Sequence, residues 1–349
     1  MTLFKPCIAP TGPTDAKIVL LGEAPGESEE IAGIPFVGSS GQLLSDLCRI
    51  ADIDKSQCYQ TNVLTTRPPQ NKLEHFLGKR DEGGVITEMP ALLPGRYLRN
   101  DFRPDLVRLR SELQSVRPNL IIALGNTACW AVLRQTAISK IRGTVVASQY
   151  GKVLPTYHPA AIFRQWDLRP IVIADLMKAR MESEYKEIRR PQRQVIINPD
   201  FQTIAAFYNQ AKSARGIAVD IETSRGQITC IGFAISRNYS LVVPFVDHRM
   251  DNNSFWRTLI EEIEAWRWVQ RLLNLPQPKI FQNGLYDLQY IRRMKLTVIN
   301  ALEDTMLLHH AMHPELLKGL GFLGSVYTNE PAWKLMRKRG EDNLKADDE

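Results

Sequence analysis

Lys17-Ile18-Val19-Leu20-Leu21-Gly22-Glu23-Ala24-Pro25-Gly26 decides the first half of the chain. An apolar run without polar alternation reads as a strand buried on both faces, the pattern of a parallel sheet. It stops at a Gly-rich turn, and open α/β sheets bind ligands at such strand ends. The turn is not a P-loop, because no Gly-Lys-Ser/Thr follows to reach a phosphate. It is not a dinucleotide fingerprint either, because Pro25 breaks the glycine spacing. The same strand–turn–helix grammar repeats downstream. Residues 41–50 read as a helix with Leu43, Leu44, Leu47 and Ile50 on one face. Asn119 to Leu124 reads as a strand closed by Gly125, Thr127 to Leu133 as a helix, and Val153 to Thr156 as a third strand before a loop at His158-Pro159. Together these predict a parallel sheet with helices on both faces. Residues 70–104 carry Gly78, Gly83, Gly84, Gly95, Pro90, Pro94 and Pro104 and read as a long insertion.

The chain has 349 residues, enough for two domains with their own cores. With 44% hydrophobic and 23% charged residues, wholesale disorder is excluded. The net charge of +6 is shared evenly by 1–187 and 188–349 and permits a nucleic-acid partner. Five scattered cysteines without a Cys-x-x-Cys pair argue against disulfides and zinc and for a reducing cytoplasm. The sequence offers neither a signal peptide nor a run of about 20 apolar residues, so no membrane is expected as partner. The charged stretch 178–194 reads as a solvated helix end running into a linker near Arg189 to Gln194.

Four further segments join Gly22 to Gly26. They are Gly33-Ile34-Pro35-Phe36-Val37-Gly38-Ser39-Ser40-Gly41, Thr61-Asn62-Val63, Ala123-Leu124-Gly125-Asn126 and Pro155-Thr156-Tyr157-His158-Pro159-Ala160. In this order and spacing, residues 15–180 resemble the uracil-DNA glycosylase superfamily. The likeness is to its family 4 and to glycosylase-like domains of phage polymerases. The resemblance implies excision of uracil from DNA. The base would be flipped into a pocket and read on its Watson–Crick edge. Phe36 offers a face for stacking, Asn62 an amide for uracil O4 and N3–H, and Ala24 a backbone N–H. His158 is the donor to O2 of the departing anion, and Glu23 holds a water near C1′. The loop after His158 supplies an apolar wedge, Ile162 or Phe163, and a phosphate contact at Arg164.

Family 4 enzymes are expected to carry four cysteines around a [4Fe–4S] cluster. Here Thr66 stands before Arg67-Pro68-Pro69 where one is expected, residues 101–116 contain none, and only Cys7 lies near an expected position. Ligation needs thiolates, so no iron–sulfur cluster is predicted. The 70–104 insertion sits where part of the cluster region would lie and is expected to replace it structurally.

In the second half, Gly216 to Ile221, Ile228 to Ile235 and Leu241 to Val246 predict an antiparallel meander. A helix over about 254–274, a strand at Lys279 to Gln282 and a helix from Leu285 to Met294 follow. Val219-Asp220-Ile221-Glu222-Thr223 puts two carboxylates on one face of a strand. Asn283-Gly284-Leu285-Tyr286-Asp287 adds a third at the start of a helix. Carboxylates suit Mg²⁺ or Mn²⁺. The combination resembles the 3′–5′ proofreading exonucleases of family A DNA polymerases, which are RNase H-like. The resemblance implies metal ligation by Asp220, Glu222 and Asp287, with Asn283 and Asp304 in support. His309, His310 and His313 read as helix capping and core packing.

That family needs a fourth carboxylate, in a Tyr-x-x-x-Asp motif on a final helix, and Tyr327-Thr328-Asn329-Glu330-Pro331 does not supply it. Three explanations stand: the front part of a longer polymerase, completion by another chain, or a dead nuclease. The reading is therefore an α/β chain in two parts. A parallel-sheet, glycosylase-like three-layer sandwich spans 1–187. A linker (188–200) leads to an RNase H-like exonuclease domain with a mixed sheet (201–349) that lacks its final helix. Its expected partners are DNA and a DNA polymerase chain or other replication proteins. The rival reading is a non-catalytic DNA-binding accessory subunit of a polymerase.

Overall fold

The run Ile18–Gly22 forms strand β1, buried along its whole length as its unbroken apolar sequence requires. The computed structural model describes residues 7–250, 252–328 and 330. In chain order β1 is followed by α1 (Glu27–Ala32), α2 (Ser39–Ile50), β2 (Tyr59–Asn62), β3 (Leu77–Lys79), β4 (Arg96–Leu98), α3 (Arg103–Val116) and β5 (Leu120–Leu124). Next come α4 (Asn126–Leu133), α5 (Ile138–Ile141), β6 (Val146–Ser148), β7 (Gly151–Thr156), α6 (Pro159–Ile162) and α7 (Leu168–Glu182). The sheet order is β2-β1-β5-β7-β6. The first four strands are parallel, and β6 is an antiparallel edge strand that the sequence reading did not anticipate. Val19, Leu21, Ile121 and Ala123 pack with α3 and α4 in one core. Leu20 and Ile122 are equally buried and point to the opposite face by strand alternation. The sheet is thus covered on both sides.

The 70–104 insertion is ordered by burial rather than by long elements. Leu73, Phe76, Leu77, Ile86, Leu92 and Leu98 join the main core, and the Phe76 and Phe102 rings lie 4.1 Å apart. The indole Nε1 of fully buried Trp130 donates to Pro90 O at 2.6 Å. The 178–194 run also differs from the expected solvated face. Lys178 and Glu182 are buried, the latter accepting from Lys152 Nζ at 2.9 Å, because α7 turns that side toward the sheet.

The second unit contains β8 (Gln194–Ile196), α8 (Phe201–Ala211), β9 (Ile217–Ser224), β10 (Gln227–Ala234), β11 (Tyr239–Pro244), α9 (Leu259–Leu273), β12 (Lys279–Phe281), α10 (Gly284–Arg293), β13 (Glu303–Asp304) and α11 (Thr305–Met312). Its sheet runs β13-β12-β9-β10-β11-β8. β9, β10 and β11 form the expected meander, and β12 lies parallel to β9. On β9, Ile217, Val219 and Ile221 enter the core while Asp220 and Glu222 face outward.

Among the described residues, the chain divides into one unit within 190–320 and another that joins the residues up to 189 to 321–328. Helix α12 (Leu320–Tyr327) straddles that division, and residues 321–328 pack within the first unit rather than with the nuclease-like part to which the sequence reading gave them. β8 likewise falls inside the expected linker. Of the segment read for the missing final helix, Asn329 and 331–349 lie outside the described residues.

Candidate functional site

The parallel strands β1, β2, β5 and β7 end at Gly22, Asn62, Leu124 and Thr156, all on one edge of the sheet. A Cβ on Gly22 would lie 2.3 Å from Asn62 Oδ1 and 2.9 Å from Phe36 Cζ. The amide and the ring therefore converge over a bare Cα, a position only glycine can fill. Phe36 holds a left-handed backbone (φ 57°), a strained state for an aromatic residue. Lys55 secures it: its Nζ donates to Phe36 O at 2.9 Å and to Ser45 Oγ at 3.0 Å. Buried Glu29 accepts from Gly26 N at 3.1 Å and Gly38 N at 2.8 Å, tying the two glycine-rich loops together. Arg108 Nη2 donates to Asn62 O at 2.6 Å and fixes the end of β2.

Glu23, Ala24, Phe36, Asn62 and His158 line one cleft of about 180 Å³. Burial pushes the Glu23 carboxyl above its ordinary range, Glu74 adds to this, and the Thr127 hydroxyl opposes it by donating to Glu23 Oε2. His158 Nδ1 accepts from Ala160 N at 3.2 Å, so the ring proton sits on Nε2. Burial lowers the His158 pKa to about 4, with Glu29 opposing and Arg164 reinforcing the shift. The imidazole is therefore a neutral N–H donor at physiological pH. A folded pKa below the unfolded value near 6.5 means its stability contribution is full above that value and is lost as pH falls through about 4. Base release measured in EDTA should show no loss assignable to His158 between about pH 5 and 8.

The wedge alternatives separate. Ile162 is fully buried, because the short helix α6 turns it inward, so its assignment to DNA contact is corrected. Phe163 is 57% exposed, and exposed Arg164 lines the wider part of the cleft. Sequence reasoning missed Glu29 and Thr127, which line the cleft and hold its loops and Glu23, and Lys55, which holds Phe36 from outside the lining. It also missed Asn71 and Glu74, by which the insertion walls the cleft. The signal for Glu29 was present as a Glu three residues after Gly26, at the start of α1.

In the second unit Asp287, on the first turn of α10, is buried and accepts from Ile221 N at 3.0 Å. Burial and the nearby charge of Asp220 raise its pKa to about 6. Asp220 is raised too, by burial and by Glu222. Asp220 thus repels both Glu222 and Asp287. Asp304 accepts from Asn283 N (3.1 Å), Gly284 N (2.7 Å) and Met306 N (2.8 Å), so it shapes the turn into α10 and caps α11. These hard-oxygen donors are right in kind for Mg²⁺ or Mn²⁺. They are not drawn together: among the described residues no group of three His, Cys, Asp or Glu side chains is arranged to hold a metal. A raised acid pKa stabilises fully below the unfolded value near 3.8 and loses that contribution as pH rises through about 6. Asp287→Asn should therefore raise the stability of the metal-free second unit at pH 7 by about 1–3 kcal/mol in urea unfolding.

The iron–sulfur cluster that goes with the family resemblance does not fit these residues. Cys48, Cys58 and Cys129 are buried, with burial pushing each thiol up to about 12. Cys7 is exposed and Cys230 lies in the other unit. Four convergent thiolates are absent, and the core packed under the insertion occupies the flank of β2.

An α/β sandwich with a polar-edged cleft at the carboxyl ends of its parallel strands is the class to which the first unit belongs. Comparison with known proteins narrows it: the chain belongs to the uracil-DNA glycosylase superfamily, which its residues 9–182 match. It is 33% identical over 174 residues to a type-4 uracil-DNA glycosylase of Thermotoga maritima, covering 48% of this chain and 79% of that protein. A type-4 enzyme of Archaeoglobus fulgidus is 35% identical over 176 residues, 48% and 77% of the two chains. A DNA polymerase of Bacillus phage SP01 is 19% identical over 332 residues, 85% of this chain and 33% of that polymerase. Among solved structures, Escherichia coli RNase D has a TM-score of 0.29 at 16% identity, covering 40% of this chain and 34% of its own. The Aedes aegypti Nibbler exonuclease domain has a TM-score of 0.33 at 14% identity, covering 46% and 79%. Scores this low carry no weight, and the second unit is read from its own residues.

Proposed function

We propose that the first unit hydrolyses the N-glycosidic bond of uracil in DNA. The convergence of Phe36 and Asn62 over Gly22, opposite a neutral His158 and a half-buried Glu23, carries this reading. The ring of Phe36 stacks on the flipped base, and the Asn62 amide reads O4 and N3–H. The C1′–N1 bond breaks and its electron pair passes to the base, mainly to O2. His158 Nε2–H donates to that oxygen in a water-poor site. Glu23, held by Thr127, orients the water that adds to C1′ and takes its proton. Phe163 fills the gap left in the strand, and Arg164 contacts phosphate.

The second unit is proposed to trim DNA from the 3′ end, with Asp220, Glu222 and Asp287 as donors to Mg²⁺ or Mn²⁺ and a further donor needed to complete the set. When bound, the ion would supply Lewis acidity at a phosphodiester. Asp304 and Asn283 support the turn that presents Asp287. DNA is the substrate of both units, and a polymerase chain is the proposed partner. The protein is proposed to work in the cytoplasm; among the described residues no helix is long and apolar enough to cross a membrane.

One gel tests both readings. Single-stranded DNA, 5′-labelled and carrying one internal uracil, is incubated in EDTA or Mg²⁺ and then treated with hot alkali. An alkali-dependent break at the uracil in EDTA is expected. Its absence overturns the glycosylase reading and favours the binding-only one. A ladder shortening from the 3′ end in Mg²⁺ alone supports the nuclease reading, and its absence overturns that.

A further inference from the structure

Residues 321–328 follow the second unit in sequence yet dock on a buried charge cluster of the first. Arg142 and Asp175 are 3% and 0% exposed and pair through two hydrogen bonds, one of them Nε to Oδ2 at 2.9 Å. Asp175 Oδ2 also accepts from Thr156 Oγ1 at 2.7 Å. The remaining side of Arg142 faces the docked segment: its Nη1 donates to Ser325 Oγ at 2.8 Å, and the Phe322 ring lies 5.7 Å from its guanidinium. Lys178 Nζ donates to three carbonyls, Gly143 O and Ser325 O at 2.6 Å and Thr328 O at 2.7 Å. Gly143 in turn donates its N–H to Pro155 O at 2.9 Å, and a Cβ on Gly143 would stand 2.9 Å from Ser325 O. The superfamily match covers residues 9–182, and this segment lies outside it.

Without 321–328, Lys178 would lose two of these three acceptors and Arg142 one, at sites that are nearly dry. Buried cations left in that state are costly, so the cluster would rearrange. Its other contacts are Thr156 and Pro155, on the strand end that leads directly into His158. We propose that residues 321–328 are a positioning element for His158. Ser325 and the Ser325 and Thr328 carbonyls hold Arg142 and Lys178, which hold Asp175, Thr156 and the strand end. The unit that follows the glycosylase in the chain thus leads into a segment that sets the glycosylase's own donor. This rests on the glycosylase reading above.

The test uses the full chain with Ser325→Lys, which sets a like charge against Arg142 and Lys178, and Ser325→Ala, which removes one bond and leaves the surroundings intact. Single-turnover base release on uracil-containing single-stranded DNA should fall about 10- to 100-fold in rate for Ser325→Lys, with substrate affinity within about threefold. Ser325→Ala should fall by a smaller factor in the same direction. In a His158→Ala background Ser325→Lys should change the residual rate less than about twofold, because the group it positions is gone. Amide exchange at 156–160 should rise in Ser325→Lys. An unchanged rate with raised exchange at 321–328 overturns the proposal, and so does an equal loss in the His158→Ala background. If Ser325→Lys fails to fold, a wild-type rate for Ser325→Ala overturns it. If the wild-type chain releases no base, the glycosylase reading fails instead. The docking is then judged by exchange alone, and unchanged protection at 156–160 overturns it.

Discussion

His158→Ala is expected to lower uracil release by about 10²–10³-fold while uracil-DNA affinity stays within about tenfold. The size follows from the loss of a single preorganised donor to a developing oxyanion. The selectivity for rate follows from the protonation state. A neutral imidazole makes an ordinary hydrogen bond to the ground-state carbonyl, worth little in affinity. Its worth rises only as negative charge collects on O2. His158 Nδ1 is occupied by the Ala160 amide, so Nε2 is the only position from which it can donate. Single-turnover rates and binding isotherms on the same oligonucleotide check this. A near-wild-type rate would remove His158 from the role.

Asp175→Ala is expected to cost the first unit about 3–5 kcal/mol, which is the scale for breaking a buried pair by removing one partner. Asp175 has no exposure and serves Arg142 and Thr156 together, so its loss leaves the Arg142 Nε and Nη2 donors and the Thr156 hydroxyl without their acceptor. Urea unfolding followed by a probe in the first unit measures the loss. The double variant Asp175→Ala with Arg142→Met should recover part of it, since no buried charge then stands alone. If the single variant unfolds at the wild-type urea concentration, the cluster is not the structural anchor its geometry describes.

Much of the candidate site was legible in order along the chain, because each element of the first unit is a local signal. An all-apolar run followed by glycines marks a strand end, and four of the site's residues sit at or just beyond strand ends. Phe36 was legible only through its neighbours, since nothing local says that its backbone is left-handed or that Lys55 holds its carbonyl. Ile162 and Phe163 could not be told apart by type. The helical turn between them decides which is buried. The insertion was legible as an interruption but not as core, because its apolar residues follow no period. They are placed by the Trp130 indole and by the ring of Phe102.

In the second unit the alternation along β9 announced both the buried Ile217, Val219 and Ile221 and the outward Asp220 and Glu222. The coupling of Asp287 to Ile221 joins residues 66 positions apart and has no local signature. The charge-rich run at 178–194 shows the same limit more sharply. By composition it belongs in water, yet Lys178 and Glu182 lie inside. A charged side chain is buried only when its partners are supplied, and here they come from β7, from the turn at Gly143 and from residues 321–328.

The sequence by itself determined the central parallel strands β1, β5 and β7, the meander β9 to β11, the strand ends that carry the cleft, and the residue types gathered there, because periodicity and turn chemistry act over a few neighbours. Tertiary structure alone decided that burial keeps His158 neutral, that burial lifts Glu23 and Asp287, and to which unit 321–328 belongs. Desolvation and the pairing of buried charge depend on groups brought together from distant parts of the chain.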